Sequence, residues 1–200
     1  PYTTLFRSKM PGEYDMKFAS LKAFYTYMMS HPGKKLLFMG QEFAQFIEWD
    51  YKKGLDWLLL DYEAHKNMQN YVAQLNKFYL KSPELWEIDY SWDGFSWISN
   101  DDNSQSIISF RRIDKSGNEI ITVCNFVPVD REDYRIGVPR AGSYRRIFCS
   151  DDAKFGGKTQ TARSFRSEKI PMHGYENSVA LSIPAMSVSY FRVPAGRDKK

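Results

Sequence analysis

The fold of this 200-residue chain is decided by the stretch His31-Pro32-Gly33-Lys34-Lys35-Leu36-Leu37-Phe38-Met39-Gly40-Gln41-Glu42-Phe43-Ala44. A helical pattern precedes it and ends at the proline and glycine, because proline lacks a backbone N–H and glycine lacks a Cβ. Residues 36–39 form a short apolar run, which predicts a strand buried on both faces, as in parallel sheets. Gln41 and Glu42 follow at the carboxyl end of that strand, where parallel α/β proteins bind substrate.

Two helices are predicted around this strand. Over residues 13–30 the apolar side chains recur at steps of three and four, which places them on one helical face. Residues 61–80 predict a second helix capped by Asp61, with a buried stripe of Met68, Val72, Leu75 and Tyr79. Helix, strand, loop and helix in this order indicate the remaining part of a larger repeating βα architecture.

The pattern changes between residues 82 and 90, where we expect a domain boundary. Beyond it, short strand-like runs alternate with Gly, Asp, Asn and Pro, which predicts an antiparallel β-sandwich. The predicted strands are residues 95–99, 106–112, 119–126, 134–138, 143–149 and 178–193, the last with a break near Pro184. Residues 114–118 read as a hairpin loop with the glycine that such turns need.

Composition narrows the class of protein. A hydrophobic share of 42% and an aromatic share of 16% predict a folded chain. The net charge is +4 with mixed signs and without a basic stripe interleaved with aromatics, so nucleic acid is not an expected partner. No apolar run approaches the roughly 18 residues of a membrane span, and we expect a soluble cytoplasmic protein without a membrane partner. Cys124 and Cys149 lie in strand-like contexts and are expected to be buried free thiols.

The motifs of several enzyme classes are missing from the sequence. The three histidines have no metal-ligand spacing, and there is no nucleophile elbow, phosphate loop or dinucleotide fingerprint. We therefore expect neither a metal nor a cofactor.

Carboxylates close to the predicted strand end are the remaining candidates for chemistry. Glycoside chemistry needs two carboxyl groups about 5 to 9.5 Å apart. Candidates by position are Glu42, Glu48, Asp50 and Asp56. Glu48 and Asp50 could equally be solvated loop charges, and Asp56 could cap a local turn.

Aromatic residues in the same loop fit sugar recognition, because the C–H face of a pyranose ring stacks on an aromatic plane. These residues are Phe43, Trp49 and Trp57, although core packing is the favoured interpretation for Trp57. The residues by themselves therefore indicate a carbohydrate-type site in one loop, and they do not identify a reaction.

Several motifs together resemble the bacterial glycogen branching enzymes (1,4-α-glucan branching enzymes) of the amylase superfamily. The resemblance runs from about Lys9 to Pro194. It rests on Lys9-Met10-Pro11-Gly12, the stretch 31–45, Glu48-Trp49-Asp50, Leu55-Asp56-Trp57, Gly94-Phe95-Ser96-Trp97-Ile98, Val123-Cys124-Asn125-Phe126, residues 134–139 and Gly142-Ser143-Tyr144.

The resemblance implies α/β plus all-β architecture: the C-terminal end of a (β/α)8 TIM barrel, as its last helix, strand and helix, followed by an antiparallel β-sandwich domain. It also implies transfer of α-1,4-glucan segments to form α-1,6 branches in glycogen biosynthesis. The implied mechanism is retaining and needs no cofactor: a covalent intermediate forms on an aspartate and is captured by a sugar 6-hydroxyl. In such enzymes the nucleophile, the acid and a His–Asp pair lie upstream of the position of Lys9.

Four segments are predicted from the resemblance. Residues 9–84 would be the C-terminal part of the catalytic barrel, residues 85–196 the all-β amylase-type domain, and residues 197–200 a basic tail. Residues 1–8 read like a translated sequencing adapter and are expected to be a non-native junction, with an ordinary frayed terminus as the alternative. The chain would then hold none of the catalytic carboxylates, would be inactive by itself and would need the missing N-terminal part of its own barrel.

The resemblance also assigns roles by position. Glu42 would shape the acceptor side of the cleft, Trp49 and Asp50 would contact α-glucan (glycogen or amylose-type chains), and Phe43 is included among the substrate-binding residues. The β domain would shield the barrel, which predicts buried aromatics such as Trp86 and Trp97 at the junction. Two alternatives stay open: a fragment of a trehalose-releasing amylase relative, and a non-catalytic glucan-binding module.

Overall fold

The computed structural model describes residues 10, 12–160 and 162–195, so the expectations for residues 1–8 and 197–200 lie outside the described residues. Two helices, α1 (Tyr14–Ser30) and α2 (Glu63–Leu80), precede a sheet of eight strands. The strands are β1 (Phe95–Asp102), β2 (Ile107–Ile113), β3 (Glu119–Asn125), β4 (Arg131–Val138), β5 (Ser143–Cys149), β6 (Ser164–Glu168), β7 (Asn177–Ile183) and β8 (Ser187–Arg192). Short 3-10 turns lie at Gln41–Phe43, Trp57–Asp61, Pro83–Leu85, Trp92–Gly94 and Ala153–Phe155.

Both predicted helices are confirmed, with one correction at the start of α2. Asp61 lies in the preceding 3-10 turn, and the position before Glu63 is Tyr62, which makes no side-chain capping bond. The buried stripe contains three of the four predicted residues and additionally His65 and Tyr71, whereas Tyr79 is only half-buried. The 3.6-residue period identifies the buried face, but the packing angle against neighbours decides how far that face extends.

The predicted buried strand at residues 36–39 is absent from the described part of the chain. Residues 34–38 have no regular secondary structure, and Leu36 is 73% exposed. A strand in a parallel sheet is defined by hydrogen bonds to neighbours that are distant in sequence, and no described strand pairs with this segment. The structure therefore does not show the end of a (β/α)8 barrel.

The predicted strands of the all-β part are confirmed, but the predicted sandwich shape was wrong. All strand pairs are antiparallel, in the order β1-β2-β3-β8-β5-β6-β7-β4. The end strands approach each other, and the Tyr134 hydroxyl of β4 donates to Asp102 Oδ2 of β1 at 2.7 Å. A barrel-like sheet results instead of an open sandwich. Sequence analysis missed β6, whose residues are alternately exposed and half-buried.

Strand β3 shows how the molecule builds two hydrophobic cores. All seven of its residues are buried. Successive side chains point to opposite faces of a strand: Ile120 and Cys124 join the core shared with α1 and α2, whereas Ile121 and Val123 join the core inside the sheet. The helices therefore cover one outer face of the sheet, and the inner face closes on itself.

The junction between the helical part and the sheet is formed around Arg112, which is fully buried. Its guanidinium donates to carbonyls at the end of α1 and in the connecting segment, and it pairs with Asp89 at 2.8 Å. The predicted junction aromatics behave differently. Trp97 is half-buried, but Trp86 is 40% exposed, so that prediction was wrong for Trp86.

Cys124 and Cys149 are free and buried, as predicted. Burial raises the pKa of both thiols. Among the described residues, neither helix is long and apolar enough to cross a membrane.

Candidate functional site

The candidate site is the loop that connects α1 to α2, in particular residues 38–57, here called the α1–α2 loop. Its first part is a series of tight turns with positive φ at Met39, Gly40 and Ala44, on either side of the 3-10 turn Gln41–Phe43. At Gly40 φ is 82°, and an added Cβ would lie 2.8 Å from Gln45 Oε1. Glycine is required there both for its backbone conformation and for space.

Two glutamine side chains hold the α1–α2 loop in shape. Gln41 Oε1 accepts from the Phe38 N–H at 3.0 Å. Gln45 is buried; its Oε1 accepts from the Asp56 N–H at 3.0 Å, and its Nε2 donates to the Ile47 carbonyl at 3.0 Å. A primary amide supplies both a donor and an acceptor, so Gln45 connects the beginning and the end of the loop. Sequence analysis missed this role, although a glutamine in an apolar context was a usable signal.

Side chains of both helices hold the α1–α2 loop in place. The Tyr25 hydroxyl of α1 donates to the Gln41 carbonyl at 3.0 Å, and His65 Nδ1 of α2 lies 2.7 Å from the Phe43 carbonyl oxygen. Since that oxygen only accepts, Nδ1 carries the proton of a neutral His65 ring. Burial lowers the pKa of His65, opposed by the hydrogen bond to the Phe43 carbonyl. Burial, and next the charge of Glu42, raise the pKa of Tyr25.

The four predicted site residues lie on this loop in different environments. Glu42 and Asp50 are half-buried, and Asp50 Oδ1 accepts from the Lys52 N–H at 3.0 Å. Trp49 is 40% exposed and packs edge-to-face on Phe38 with ring centroids 5.4 Å apart. Phe43 is fully buried. Glu42, Trp49 and Asp50 are thus accessible to a ligand, whereas Phe43 shapes the site from inside.

The interpretation of Trp57 as a core residue was wrong. It is 55% exposed, although its ring lies 5.3 Å from that of Phe43. The remaining carboxylate candidates, Glu48 and Asp56, are exposed and half-buried respectively. No group of three or more His, Cys, Asp or Glu residues suited to a metal occurs in the described ranges.

Large apolar side chains are concentrated on the outside of this region. Nine of them between residues 36 and 62 are each at least 40% exposed, and we name this set the exposed apolar face: Leu36, Phe38, Met39, Ile47, Trp49, Tyr51, Trp57, Leu58 and Tyr62. Exposed patches of this extent mark surfaces for binding a partner or a ligand.

Comparison with known proteins identifies the β domain and extends to the helices. Residues 97–194 match the family model described as the alpha amylase C-terminal all-beta domain. Over 186 residues, 92% of this chain, the sequence is 52% identical to the 1,4-alpha-glucan branching enzyme GlgB of Halothermothrix orenii and 48% identical to that of Aquifex aeolicus. Both matches cover 30% of the relative, so the chain spans about 30% of the length of these curated relatives.

Solved structures share the fold at low sequence identity. A pullulanase from Bacillus acidopullulyticus has a TM-score of 0.65 and 11% identity, over 94% of this chain and 22% of the pullulanase. The pullulanase SAP of group B Streptococcus has a TM-score of 0.59 and 15% identity, over 90% of this chain and 28% of that chain. The sequence comparisons confirm the resemblance to branching enzymes: residues 97–194 match the alpha amylase C-terminal all-beta domain, and 92% of the chain is similar to part of a 1,4-alpha-glucan branching enzyme.

Proposed function

We propose that this chain forms the end of the catalytic barrel and the C-terminal β domain of a glycogen branching enzyme. The observation that carries the proposal is the extent of the 52% match: its 186 residues are many more than the 98 residues matched by the all-beta family model, so the match includes most of the helical part and its loop. The proposed division is residues 9–84 for the barrel part and residues 85–196 for the β domain. Four GlgB relatives at 45–52% identity favour branching over trehalose release.

In the whole enzyme, residues 34–38 would pair with a neighbouring barrel strand and become the last barrel strand. Two observations support this: the segment has no regular secondary structure, and its apolar side chains Leu36 and Phe38 are 73% and 46% exposed. Pairing would satisfy the backbone groups of the segment and bury Leu36. The remaining N-terminal barrel of the parent enzyme is thus the proposed partner of residues 34–38, whereas Trp49 and Tyr51 would stay accessible.

The α1–α2 loop would then line the acceptor side of the substrate cleft. The Trp49 ring offers a partly exposed face for stacking on a glucose ring, and the Asp50 and Glu42 carboxylates accept hydrogen bonds from sugar hydroxyls. Phe43 acts by supporting Trp57 and the turn from inside. These residues bind and orient an α-glucan chain.

The reaction itself would use carboxylates outside this chain. An aspartate attacks the anomeric carbon and the α-1,4 bond breaks, with an acid protonating the leaving 4-oxygen; a 6-hydroxyl of the acceptor then displaces the aspartate and loses its proton to the same group acting as base. Neither Glu42 nor Asp50 is assigned to these steps. The proposed location is the cytoplasm, in keeping with the free thiols of Cys124 and Cys149.

A chimaera tests this proposal. The matched segment of the Halothermothrix orenii enzyme is replaced by residues 9–195 of this chain, and branching of amylose is followed by loss of iodine colour and by new α-1,6 linkages. The chimaera should branch, and the 200-residue chain alone should not. A folded but inactive chimaera would refute the proposal, and turnover by the chain alone would refute the assignment of the catalytic carboxylates elsewhere.

The role of Trp49 is tested in the same chimaera. Trp49→Ala should raise the KM for amylose about tenfold, as expected when an anchoring aromatic is lost. Tyr51→Ala is the matched control, because Tyr51 is a more exposed aromatic, 76% against 40%, in the same loop. Equal effects of the two substitutions would remove Trp49 from the proposed cleft.

A further inference from the structure

Strands β5 and β6 bring two arginine residues together where their pairing ends. The last pair in the register is Arg145 with Ser164, and beyond it the Arg146 N–H donates to the Arg163 carbonyl at 2.8 Å. Arg146 and Arg163 therefore lie opposite each other on neighbouring strands. Like charges in this arrangement are destabilising, so the position calls for a compensating negative charge.

The ring of Phe165 lies beside both guanidinium groups. Its centroid is 5.0 Å from Arg163 Cζ and 5.9 Å from Arg146 Cζ. Arg146 is only 3% exposed, and its guanidinium donates to the Ser182 carbonyl at 3.3 Å and to the Gln160 carbonyl at 3.4 Å. Burial lowers the pKa of Arg146, and the positive charge of Arg163 adds to this effect. The two cations are thus held near each other on one aromatic ring.

Both arginines line a cavity of about 390 Å³. Besides them, the described residues of the lining are Thr159, Gln160, Ala162, Ser182 and Pro184, and none of these is acidic. The described lining therefore carries two positive charges and no negative one.

The two hydroxyl groups of the lining donate to carboxylates outside it. The Ser182 hydroxyl donates to Glu132 Oε1 at 3.1 Å, and the Thr159 hydroxyl donates to Asp151 Oδ2 at 2.6 Å. A hydroxyl has one proton to donate, whereas each arginine side chain has five N–H donors. The guanidinium groups are therefore the main donors for a ligand in this cavity, which favours an anion.

A phosphate monoester fits this cavity better than a carboxylate does. A phosphate group on a hydroxyl carries about −1.5 to −2 charge at pH 7 and thus balances two guanidinium groups, whereas a carboxylate balances one. Guanidinium groups also form paired hydrogen bonds with phosphate oxygens. The cavity volume lies within the range of about 300 to 1,000 Å³ that is typical of small-molecule sites, so it leaves room for an organic group beside the phosphate.

We propose that this cavity binds a small phosphate monoester through Arg146 and Arg163. The phosphate would neutralise the two opposed cations at the end of the β5–β6 pair. No residue of the α1–α2 loop is among the described residues of the lining, and the site does not depend on the proposed function.

Isothermal titration calorimetry of the 200-residue chain tests this site, with glycerol 3-phosphate as the probe. Ionic strength is held constant, because salt screens exposed charges. The probe should bind, and glycerol, its neutral counterpart, should not. Neither compound contains a pyranose ring, so the result is separate from sugar binding at the α1–α2 loop.

Two matched variants test the role of Arg163. Arg163→Gln should raise the Kd for glycerol 3-phosphate about tenfold, as expected for the loss of a charged hydrogen-bond donor. Arg166→Gln is the control, because it removes the same charge from an exposed residue of β6 that does not line the cavity. It should change the Kd by less than about twofold. Arg163 is itself exposed, so its replacement should leave the fold intact.

Three results would overturn the proposal: no binding of glycerol 3-phosphate, equal Kd values for glycerol 3-phosphate and glycerol, or equal Kd values for the two variants. Inorganic phosphate as a second probe distinguishes the source of the anion. Weaker binding of inorganic phosphate than of glycerol 3-phosphate supports a monoester site. Tighter binding of inorganic phosphate would refute the monoester and assign the cavity to the free ion.

Discussion

Replacement of Arg112 by methionine should strongly destabilise the protein. The guanidinium is fully buried and makes four hydrogen bonds: to the Gly94 carbonyl at 3.1 Å, the Ser30 carbonyl at 2.9 Å, the Ile88 carbonyl at 3.3 Å and Asp89 Oδ1 at 2.8 Å. It thereby joins the end of α1, the connecting segment and β2. Methionine keeps most of the side-chain length but removes the charge and every donor.

The expected loss of stability follows from the buried carboxylate that the substitution leaves without a partner. The Asp89 side chain is only 4% exposed, so its carboxylate would stay buried without its cationic partner. Removing one partner of a buried ion pair costs about 3 to 5 kcal/mol. With a urea dependence of about 2 kcal/mol per molar, the unfolding midpoint should fall by about 2 M.

Urea unfolding followed by circular dichroism measures the change. Arg145→Met is the matched control: Arg145 is exposed on β5, and the free energy of unfolding should change by no more than about 0.5 kcal/mol. Adding Asp89→Leu to Arg112→Met should restore part of the loss, because no unpaired charge then stays buried. A loss below about 1 kcal/mol for Arg112→Met would refute the reasoning that this network holds the two parts together.

Three further outcomes follow from the described residues. Gly94→Ala should destabilise the fold by at least about 2 kcal/mol in thermal unfolding, because the added Cβ would lie 2.1 Å from the Ile88 carbonyl oxygen. Gly54→Ala is the control and should be nearly neutral, because no atom lies within 4 Å of its added Cβ. Similar melting temperatures for the two variants would contradict this prediction. Cys124 and Cys149 should react with a thiol reagent only on unfolding, since burial raises their pKa, and rapid labelling of the native chain would count against the packing shown. Burial lowers the pKa of His65 in the folded state, so the unfolded chain binds more protons near pH 6. The free energy of unfolding should therefore fall as the pH drops from 7 to 5.5. His65→Gln should lessen this pH dependence, and an unchanged pH profile in the variant would contradict the prediction.

Local patterns predicted much of the fold because they depend on residues that are close in sequence. The period of three and four gave α1 within one residue of its start, and the strand-like run from residue 178 to the break near Pro184 gave β7, where Val179, Leu181 and Ile183 are buried. The free, buried state of the cysteines followed from their strand contexts. The branching-enzyme motifs likewise indicated a similarity to branching enzymes, which the comparisons confirm.

The sequence predicted that the candidate residues lie in a loop, but it did not predict the contacts that hold this loop in place. The sequence placed polar and aromatic residues after the glycine at position 40, and the structure finds Glu42, Trp49 and Asp50 accessible there. The cross-link by Gln45 and the support by His65 were missed, because each depends on a partner brought near by the folding of the chain.

The sequence by itself determined the helices, most strands, the loop that carries the candidate residues and the similarity to branching enzymes. Only the tertiary structure decided the environment of each side chain: Phe43 is buried while Trp57 is exposed, Arg112 is the centre of the junction, and Leu36 faces outward. The physical reason is that periodicity reports which residues share a face, whereas burial and strand pairing depend on which distant segment covers that face. No strand among the described residues pairs with residues 34–38.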